Sequence, residues 1–201
     1  MVAAAKDKER AMSGIAQIHH ATLKPTKLEL LTQWLPKQPW FTGDGDDLER
    51  VASFRFVDPD GEVGIETILV SSAGTVFQVP LTYRDAALVD ADGALVGTMD
   101  HSVLGQRWVY DGVDDPVYVA ELFRVIHEGD NEAELSTGEK SMTVEGSGIT
   151  RISNAAGEMV RLIRVVDESY VPTQEQALGT LTGAWTDADG LAHQAVLVVL
   201  R

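Results

Sequence analysis

Three carboxylates stand close together in the chain, next to an arginine. Asp111, Asp114 and Asp115 follow Arg107 within eight positions. Because a glycosidase needs two carboxylates, this group is a candidate catalytic cluster of a sugar-active enzyme. A structural interpretation competes with it, since Asp115 precedes Pro116 at the start of a predicted helix and Arg107 balances nearby charge. We favour the structural interpretation and predict no catalytic residues.

Aromatic side chains form a second group that could bind a ligand. Their amphipathic faces suit the CH surfaces of sugar rings. In a domain of this size, however, four tryptophans more often pack in the core, and we favour packing. The candidate surface for a ligand or partner comprises Trp34, Trp40, Phe41, His101, Arg107, Trp108, Tyr110 and Asp111.

The five histidines offer bases or metal ligands. As neighbours on a predicted strand, His19 and His20 would face opposite sides, which prevents them from binding one metal ion together. His127, near the end of a predicted helix, suits the negative end of that helix dipole. We predict structural roles for the histidines, which also include His101 and His193, and no metal site.

Three Asp-x-Asp-Gly sequences, beginning at Asp58, Asp90 and Asp187, raise the question of calcium. An EF-hand loop needs a third oxygen ligand before the glycine and a bidentate Glu after it, and none of the three fits. Since Asp-Gly is also common turn chemistry, we interpret all three as turns. The sequence 138–141 (GEKS) lacks the glycine that precedes the lysine of a phosphate loop, so no cofactor is predicted.

The charge of the whole chain limits its partners. A formal net charge of −15 at pH 7 repels phosphate backbones and anionic lipid headgroups. We therefore predict no nucleic-acid and no membrane partner. The chain has no cysteine, and its first residues carry charges where a signal peptide needs an apolar run, so we predict a cytoplasmic location.

Two helices have clear start signals. Thr26 and Glu29 form a predicted capping box, and a proline ends the leucine-rich stretch that follows. The second helix begins with Asp115 as N-cap and Pro116 at the first helical position, and it ends at Gly129. Both helices place apolar side chains at helical spacing along one face.

Nine stretches have the length and composition of strands: 18–23, 48–56, 62–71, 75–83, 87–89, 94–99, 149–153, 159–166 and 191–200. Most follow one another directly across turn sequences, which favours antiparallel pairing. Pro80 cannot donate to a ladder, so the strand 75–83 is predicted at an edge or a bulge. The predicted fold class is α+β, an antiparallel sheet with two main helices followed by a small C-terminal β unit.

The stretch 31–41 (LTQWLPKQPWF) resembles the opening signature of the maltokinase N-terminal cap domain. The matching residues are Trp34, Leu35, Pro36, Gln38, Trp40 and Phe41, and Pro39 departs from the pattern. The stretches 18–31 and 101–123 are similar to stand-alone cap proteins of actinobacteria. The resemblance covers residues 15–129 and implies a cystatin-like fold for them. Around it we predict a disordered leader at 1–14, a linker at 130–147 and a small β unit at 148–201 that packs on the cap.

The resemblance also implies a link to α-glucan metabolism, which includes trehalose, maltose and glycogen. No His-Gly-Asp sequence of the kinase type occurs in the chain. We therefore expect a non-catalytic accessory or regulatory protein that binds a partner enzyme or a sugar-related ligand. The alternative is a sugar-active enzyme, either a kinase component or an α-glucan hydrolase or transferase. The sequence is also compatible with a homo-oligomer.

Overall fold

The computed structural model describes residues 14–149, 159–173, 175 and 177–201. The helices of the described part are α1 (Lys27–Trp34) and α2 (Pro116–Glu128). The strands are β1 (Ile15–Ala16), β2 (Leu23–Lys24), β3 (Glu49–Val57), β4 (Gly64–Ser72), β5 (Thr75–Arg84), β6 (Leu95–His101), β7 (Gly105–Asp111), β8 (Glu134–Leu135), β9 (Met142–Gly146), β10 (Val160–Leu162), β11 (Gly179–Thr186) and β12 (Ala192–Leu200). The predicted leader apart from Gly14, and the predicted strand 149–153 apart from Ile149, lie outside the described residues.

The strands form one large sheet, one small sheet and a short pair. The large sheet has six antiparallel strands in the order β2-β6-β7-β5-β4-β3. The small sheet has four antiparallel strands in the order β10-β12-β11-β9, and β1 pairs with β8 in parallel. The predicted α+β class, with antiparallel sheet and a small β unit, is confirmed. Neither helix of the described part is long and apolar enough to cross a membrane.

Aspartates organise the turns between strands. Between β3 and β4, the Asp58 carboxylate accepts from the backbone N–H groups of Asp60, Glu62 and Val63 at 2.9–3.1 Å. Gly61 takes the left-handed φ of 72° that this turn requires. Asp187 accepts in the same way from two backbone N–H groups between β11 and β12. These carboxylates therefore act within their own turns, which confirms the turn interpretation at both places.

Helix α1 begins with the predicted capping box. Thr26 Oγ1 accepts from Glu29 N at 3.3 Å, and Glu29 accepts from Thr26 N at 2.7 Å. The last turn continues as a 3-10 turn at Leu35–Lys37. Leu30, Leu31 and the residues at its C-terminal end are buried against one face of the large sheet. The capping box fixes the first turn of the helix, which carries Lys27.

The replacement Thr26→Ala should lower the free energy of unfolding by about 1 kcal/mol, because Glu29 N loses its acceptor. Urea unfolding followed by circular dichroism measures this change. Thr42→Ala is the matched control, since Thr42 is exposed and caps no helix. Equal stabilities of the two variants would contradict the role of the cap.

The large sheet is covered on both faces. Helix α1 covers one face, and the hydrophobic core between this helix and the sheet contains Ile68, Val79 and Val109. Helix α2 and the small sheet cover the opposite face, and one continuous core there joins residues of all three layers: Phe54, Phe56, Ile65, Leu69, Tyr118, Leu122, Val125, Ile126, Leu181, Leu197 and Val198. Successive residues of a strand point to opposite faces, so β4 is buried along nearly its whole length.

Helix α2 has the ends that the sequence predicts. The Asp115 side chain accepts from Val117 N at 3.0 Å, Pro116 is the first helical residue, and Gly129 closes the helix with φ 68°. The carbonyl oxygen of Val125 accepts from both Gly129 N and Asp130 N at this end. The helix is thus fixed at both termini by local hydrogen bonds.

Two predicted strands are wrong. Residues 18–22 form no strand, because the backbone N–H of Ile18 donates to Ser136 Oγ and that of Thr22 donates to Ser102 Oγ, both at 2.9 Å. Residues 87–89 also form no strand, and Leu88 N donates to Tyr110 Oη at 2.8 Å. Hydroxyl groups from distant residues satisfy these amides in place of a ladder.

Strand β5 lies inside the large sheet and not at its edge. Its pairing with β7 begins only at Leu81, and Gln78 N donates to Arg164 O at 2.8 Å on the same side. Pro80 stands at the gap between these two neighbours. Its missing N–H therefore costs the sheet no hydrogen bond.

The predicted linker 130–147 contains β8 and β9. In β9, Met142 and Val144 are buried while Thr143 and Glu145 are exposed. β9 pairs with β11 and thus belongs to the small sheet. Strands β7 and β11 are likewise absent from the nine predicted stretches. The small sheet therefore begins before residue 148, where the sequence analysis places its start.

Candidate functional site

A buried carboxylate on β4 collects several cations. Glu66 is 2% exposed. Its Oε2 accepts from Lys27 Nζ at 2.5 Å, from Arg55 Nη2 at 2.9 Å and from the Tyr83 hydroxyl at 2.9 Å. Arg50 Nη2 lies 3.8 Å from Oε1. Three cations thus surround one anion, and the cluster of Glu66, Lys27, Arg55, Arg50 and Tyr83 is called the Glu66 cluster below.

The side chains of the Glu66 cluster come from four elements, with both arginines on β3. Arg55 on β3 stands directly opposite Glu66 on β4. Tyr83 lies on β5, the other neighbour of β4, and Lys27 is the first residue of α1. Glu66 is the only charged residue of β4. The cluster therefore joins the helix to the sheet through a single carboxylate.

Burial alone would raise the pKa of Glu66, but Arg55 and Lys27 outweigh it and lower the pKa to about 2. The pKa of Lys27 is also lowered, because the desolvation of its ammonium exceeds the attraction of Glu66, which Lys27 shares with Arg55 and Arg50. Burial and the nearby carboxylate raise the pKa of Tyr83. Glu66 is thus fully ionised at neutral pH, whereas burial disfavours the charged form of Lys27.

One cleft lies between β3 and the segment 131–142 and has a volume of about 520 Å³. Lys27, Arg55 and Glu66 form part of its wall. On the other wall, Glu132 pairs with Lys140 and accepts from Val144 N at 2.6 Å. Acidic and basic side chains are balanced in this space, which we call the β3 cleft.

A second cleft of about 590 Å³ lies on the other side of Lys27 and Arg55. Its wall includes Tyr83 and two histidines, His19 and His101, whose rings meet edge to face at a centroid distance of 5.9 Å. Apolar side chains complete the wall: Ile15, Ile18, Leu23, Val57, Val63, Met99 and Leu104. We call this space the histidine cleft, and it shares Lys27 and Arg55 with the β3 cleft.

Of the eight residues predicted as a ligand or partner surface, His101 and Arg107 line the histidine cleft. The imidazole Nδ1 of His101 accepts from Val103 N and Leu104 N at 3.2 and 3.1 Å. Burial, together with the charges of His19 and Arg107, lowers the pKa of His101. In its neutral form this ring therefore carries its proton on Nε2.

The Trp, Phe and Tyr side chains of the predicted candidate surface line neither cleft. Trp34 is buried, while Trp40 and Phe41 pack on Phe77 with ring centroids 6.4 and 4.7 Å from it. Neither cleft includes these three side chains. Tyr110 is buried, and its hydroxyl oxygen accepts a hydrogen bond from Leu88 N. Trp108 lies two residues earlier on β7 and is half-buried. The structure thus places five of the predicted aromatic residues in or near packed regions.

Two of the three carboxylates near Arg107, Asp111 and Asp115, are held by structural partners, and Asp114 is exposed. Asp111 pairs with Arg164, whose guanidinium lies 4.6 Å from the centre of the Trp40 ring. Burial raises the pKa of Asp111 despite this arginine. Neither cleft includes Asp111. Arg164, which the sequence analysis does not single out, therefore connects two of the predicted residues.

Asp115 is buried and caps α2. Both of its carboxylate oxygens accept from Arg84 at 2.7 Å, and one also accepts from Thr82 Oγ1 at 2.7 Å. Burial acts to raise the pKa of Asp115, but these hydrogen bonds outweigh it and lower the pKa. This carboxylate stabilises the start of the helix, as predicted.

His193 lies between two carboxylates on the small sheet. Its Nδ1 is 2.8 Å from Glu168 Oε1 and its Nε2 is 3.0 Å from Asp187 Oδ2, and the ring stacks on Trp185. The hydrogen bonds to Asp187 and Glu168 raise the pKa of His193. Both ring nitrogens are thus engaged in contacts that join two loops.

Lys27, Arg55, Glu66 and Tyr83 are not among the residues predicted from the sequence. One signal was present: a lone charged residue within an apolar strand needs a partner when the strand is buried. The identity of the partners is not encoded locally, since they come from positions 27, 55 and 83.

Comparison with known proteins identifies one segment. Residues 34–115 match the family model described as the maltokinase N-terminal cap domain. Comparison with curated proteins gives no match. The matched segment begins at Trp34, the first residue of the aromatic motif, and ends at Asp115, the N-cap of α2. Residues 34–115, which include β3 to β7, are therefore similar to the maltokinase N-terminal cap domain, and the resemblance predicted from the sequence is confirmed.

Proposed function

We propose that the protein is a non-catalytic accessory or regulatory protein of α-glucan metabolism that binds a sugar-related ligand beside the Glu66 cluster. The match to the maltokinase cap associates the chain with this metabolism. The observation that carries the proposal is the common wall of Lys27 and Arg55, which lies between clefts of about 520 and 590 Å³. Both volumes fall in the usual range for small-molecule sites.

The histidine cleft has the mixed wall that a sugar-related ligand requires. Apolar side chains and the Tyr83 ring suit the CH face of a sugar. Lys27, Arg55, Arg107 and the histidines supply hydrogen-bond donors for oxygen atoms. Because Lys27 and Arg55 are already held by Glu66, these two donors are ordered before a ligand arrives.

A non-catalytic role is supported by the carboxylates that a hydrolase would use. Asp111 and Asp115 each have a cationic partner, Arg164 and Arg84 respectively. Asp115 is in addition the N-cap of α2, so its displacement would destabilise the helix. Both residues lie away from the walls of the two clefts.

Titration of the ¹⁵N-labelled full chain with maltose, trehalose, maltotriose and glucose 6-phosphate tests the proposal. We expect amide shifts at the residues of the histidine cleft or the β3 cleft for at least one of these ligands. Incubation with ATP, magnesium and maltose, or with maltooligosaccharides alone, should give no product. Product formation, or shifts confined to the region of Asp111 and Asp115, would contradict the proposal.

A partner enzyme of the same metabolism is the other occupant to test. Val103 and Leu104 expose apolar surface at the turn between β6 and β7, at 56% and 43% exposure, and Leu104 also lines the histidine cleft. Binding of a purified glycogen-pathway enzyme that is weakened by Leu104→Ser would assign the cleft rim to a protein. Absence of any shift with the four ligands and of any bound enzyme would refute the accessory role.

A further inference from the structure

The histidine cleft is richer in cations than the chain as a whole. The whole chain carries −15, yet three basic side chains line this cleft: Lys27, Arg55 and Arg107. Two carboxylates lie on its wall, and one of them, Asp58, is turned onto the backbone N–H groups of its own turn. The other, Glu62, is exposed. A negative ligand therefore finds a locally favourable field in an acidic protein.

The Glu66 cluster does not neutralise its own cations. On the wall of the histidine cleft, Lys27 and Arg55 share the single carboxylate of Glu66, and Arg107 adds a third cation, which leaves an excess of two positive charges over Glu66. The side-chain hydrogen bonds from Lys27, Arg55 and Tyr83 to Glu66 all reach the same oxygen, Oε2. A phosphate monoester, with a charge close to −2 at neutral pH and three acceptor oxygens, matches this excess better than a carboxylate does.

Two further donors on the wall are only partly used. Arg107 donates to Leu104 O through Nη2, while its buried Nε has no hydrogen-bond partner among the described residues. The Nδ1 atom of His101 accepts hydrogen bonds from two backbone N–H groups. The proton of the neutral imidazole ring is therefore on Nε2, which can donate it to a ligand. An orphaned guanidinium N–H is costly unless it acquires an acceptor.

We propose that the histidine cleft binds a phosphate group through Lys27, Arg55, Arg107 and His101. This inference rests on the proposed function, whose ligand it specifies as a phosphorylated small molecule or free phosphate. The apolar wall beside the cations suits the body of an ester and offers nothing to inorganic phosphate. Affinity should therefore be higher for a sugar phosphate than for phosphate alone.

Calorimetric titration of the full chain at constant ionic strength, with glucose 6-phosphate, inorganic phosphate and neutral maltose, tests the site. We expect Arg107→Gln to weaken glucose 6-phosphate binding roughly tenfold or more, because a charge-assisted hydrogen bond is lost. Lys37→Gln is the matched control, since it removes the same charge from an exposed position outside both clefts. This control should change the affinity less than about twofold, a typical result for a distant surface charge.

The outcomes separate the two proposals. Equal binding of inorganic phosphate and the ester, with the same loss in Arg107→Gln, assigns the site to free phosphate and supports the inference. Maltose binding without phosphate binding overturns the inference and leaves the proposed function standing. Equal losses in Arg107→Gln and Lys37→Gln overturn the site, and absence of binding by all three ligands overturns the inference. The proposed function falls as well only if trehalose, maltotriose and a glycogen-pathway enzyme also fail to bind.

Discussion

Replacement of Glu66 by glutamine should lower the free energy of unfolding by roughly 3–5 kcal/mol, because it leaves the partly buried Lys27 and Arg55 without their anion. Glu66 is buried, and three partners donate to one of its oxygens. Glutamine has nearly the same volume as glutamate, so the replacement creates no cavity. The loss of unfolding free energy therefore measures the lost charge and hydrogen bonds. Denaturant unfolding monitored by circular dichroism and tryptophan fluorescence measures it.

Glu49→Gln is the matched control, since it makes the same change at an exposed position on β3. Its stability should remain within about 0.5 kcal/mol of the original protein. A loss of the same size in both variants would show that the effect is one of net charge and would contradict the structural role of Glu66.

The stability difference between the original protein and Glu66→Gln should depend on pH. The pKa of Glu66 is about 2 in the folded chain and 4.5 ordinarily. A lowered folded pKa means that the ionised form stabilises the fold above the ordinary value and that this contribution is lost as pH falls through the folded value. The difference should therefore be full above about pH 5 and shrink towards pH 2. A difference that is constant from pH 7 to pH 2 would contradict this assignment.

Replacement of Gly146 by alanine should destabilise the fold by at least about 3 kcal/mol, because the new methyl group has no space. A Cβ at this position would lie 2.0 Å from Val125 O and 2.9 Å from Ile126 Cα. Both are backbone atoms of α2, so neither can move aside as a flexible side chain can. The same carbonyl oxygen also closes the C-terminal end of the helix. The measurement is the unfolding free energy in urea.

Gly93→Ala is the control for this change. An added Cβ there meets no atom within 4 Å, and the backbone is outside the left-handed region. We expect a change of less than about 0.5 kcal/mol. If Gly146→Ala were as stable as Gly93→Ala, the close approach of β9 to α2 would be refuted.

The elements that were predicted correctly are those with signals at short range. The capping box of α1 joins Thr26 to Glu29, and the cap of α2 joins Asp115 to Val117. The turn between β3 and β4 is closed by the carboxylate of Asp58 within five residues. Partners this close along the chain meet whenever the local conformation forms, so residue types and spacing suffice to predict them.

The missed strands had weaker or ambiguous signals. β9 alternates buried and exposed residues, but only two apolar side chains, Met142 and Val144, show the alternation within a polar stretch. In β11, Gly179 and Gly183 occupy buried positions, where an added side chain would clash with Ile126 and Leu197. Close packing against other layers selects glycine at such positions and thereby weakens the strand pattern.

By itself, the sequence determined the α+β class, both helices with their caps, the main hairpin and the maltokinase-cap motif that begins at Trp34. Only the tertiary structure decided which polar residues meet: Glu66 with Lys27, Arg55 and Tyr83, and Asp111 with Arg164. The physical reason is the range of the contacts. A capping hydrogen bond spans three residues, whereas the partners of Glu66 come from 11 to 39 residues away and the partner of Asp111 from 53 residues away. Such pairs become neighbours only when the helix and strands pack, because burial then makes an unpaired charge too costly to leave alone.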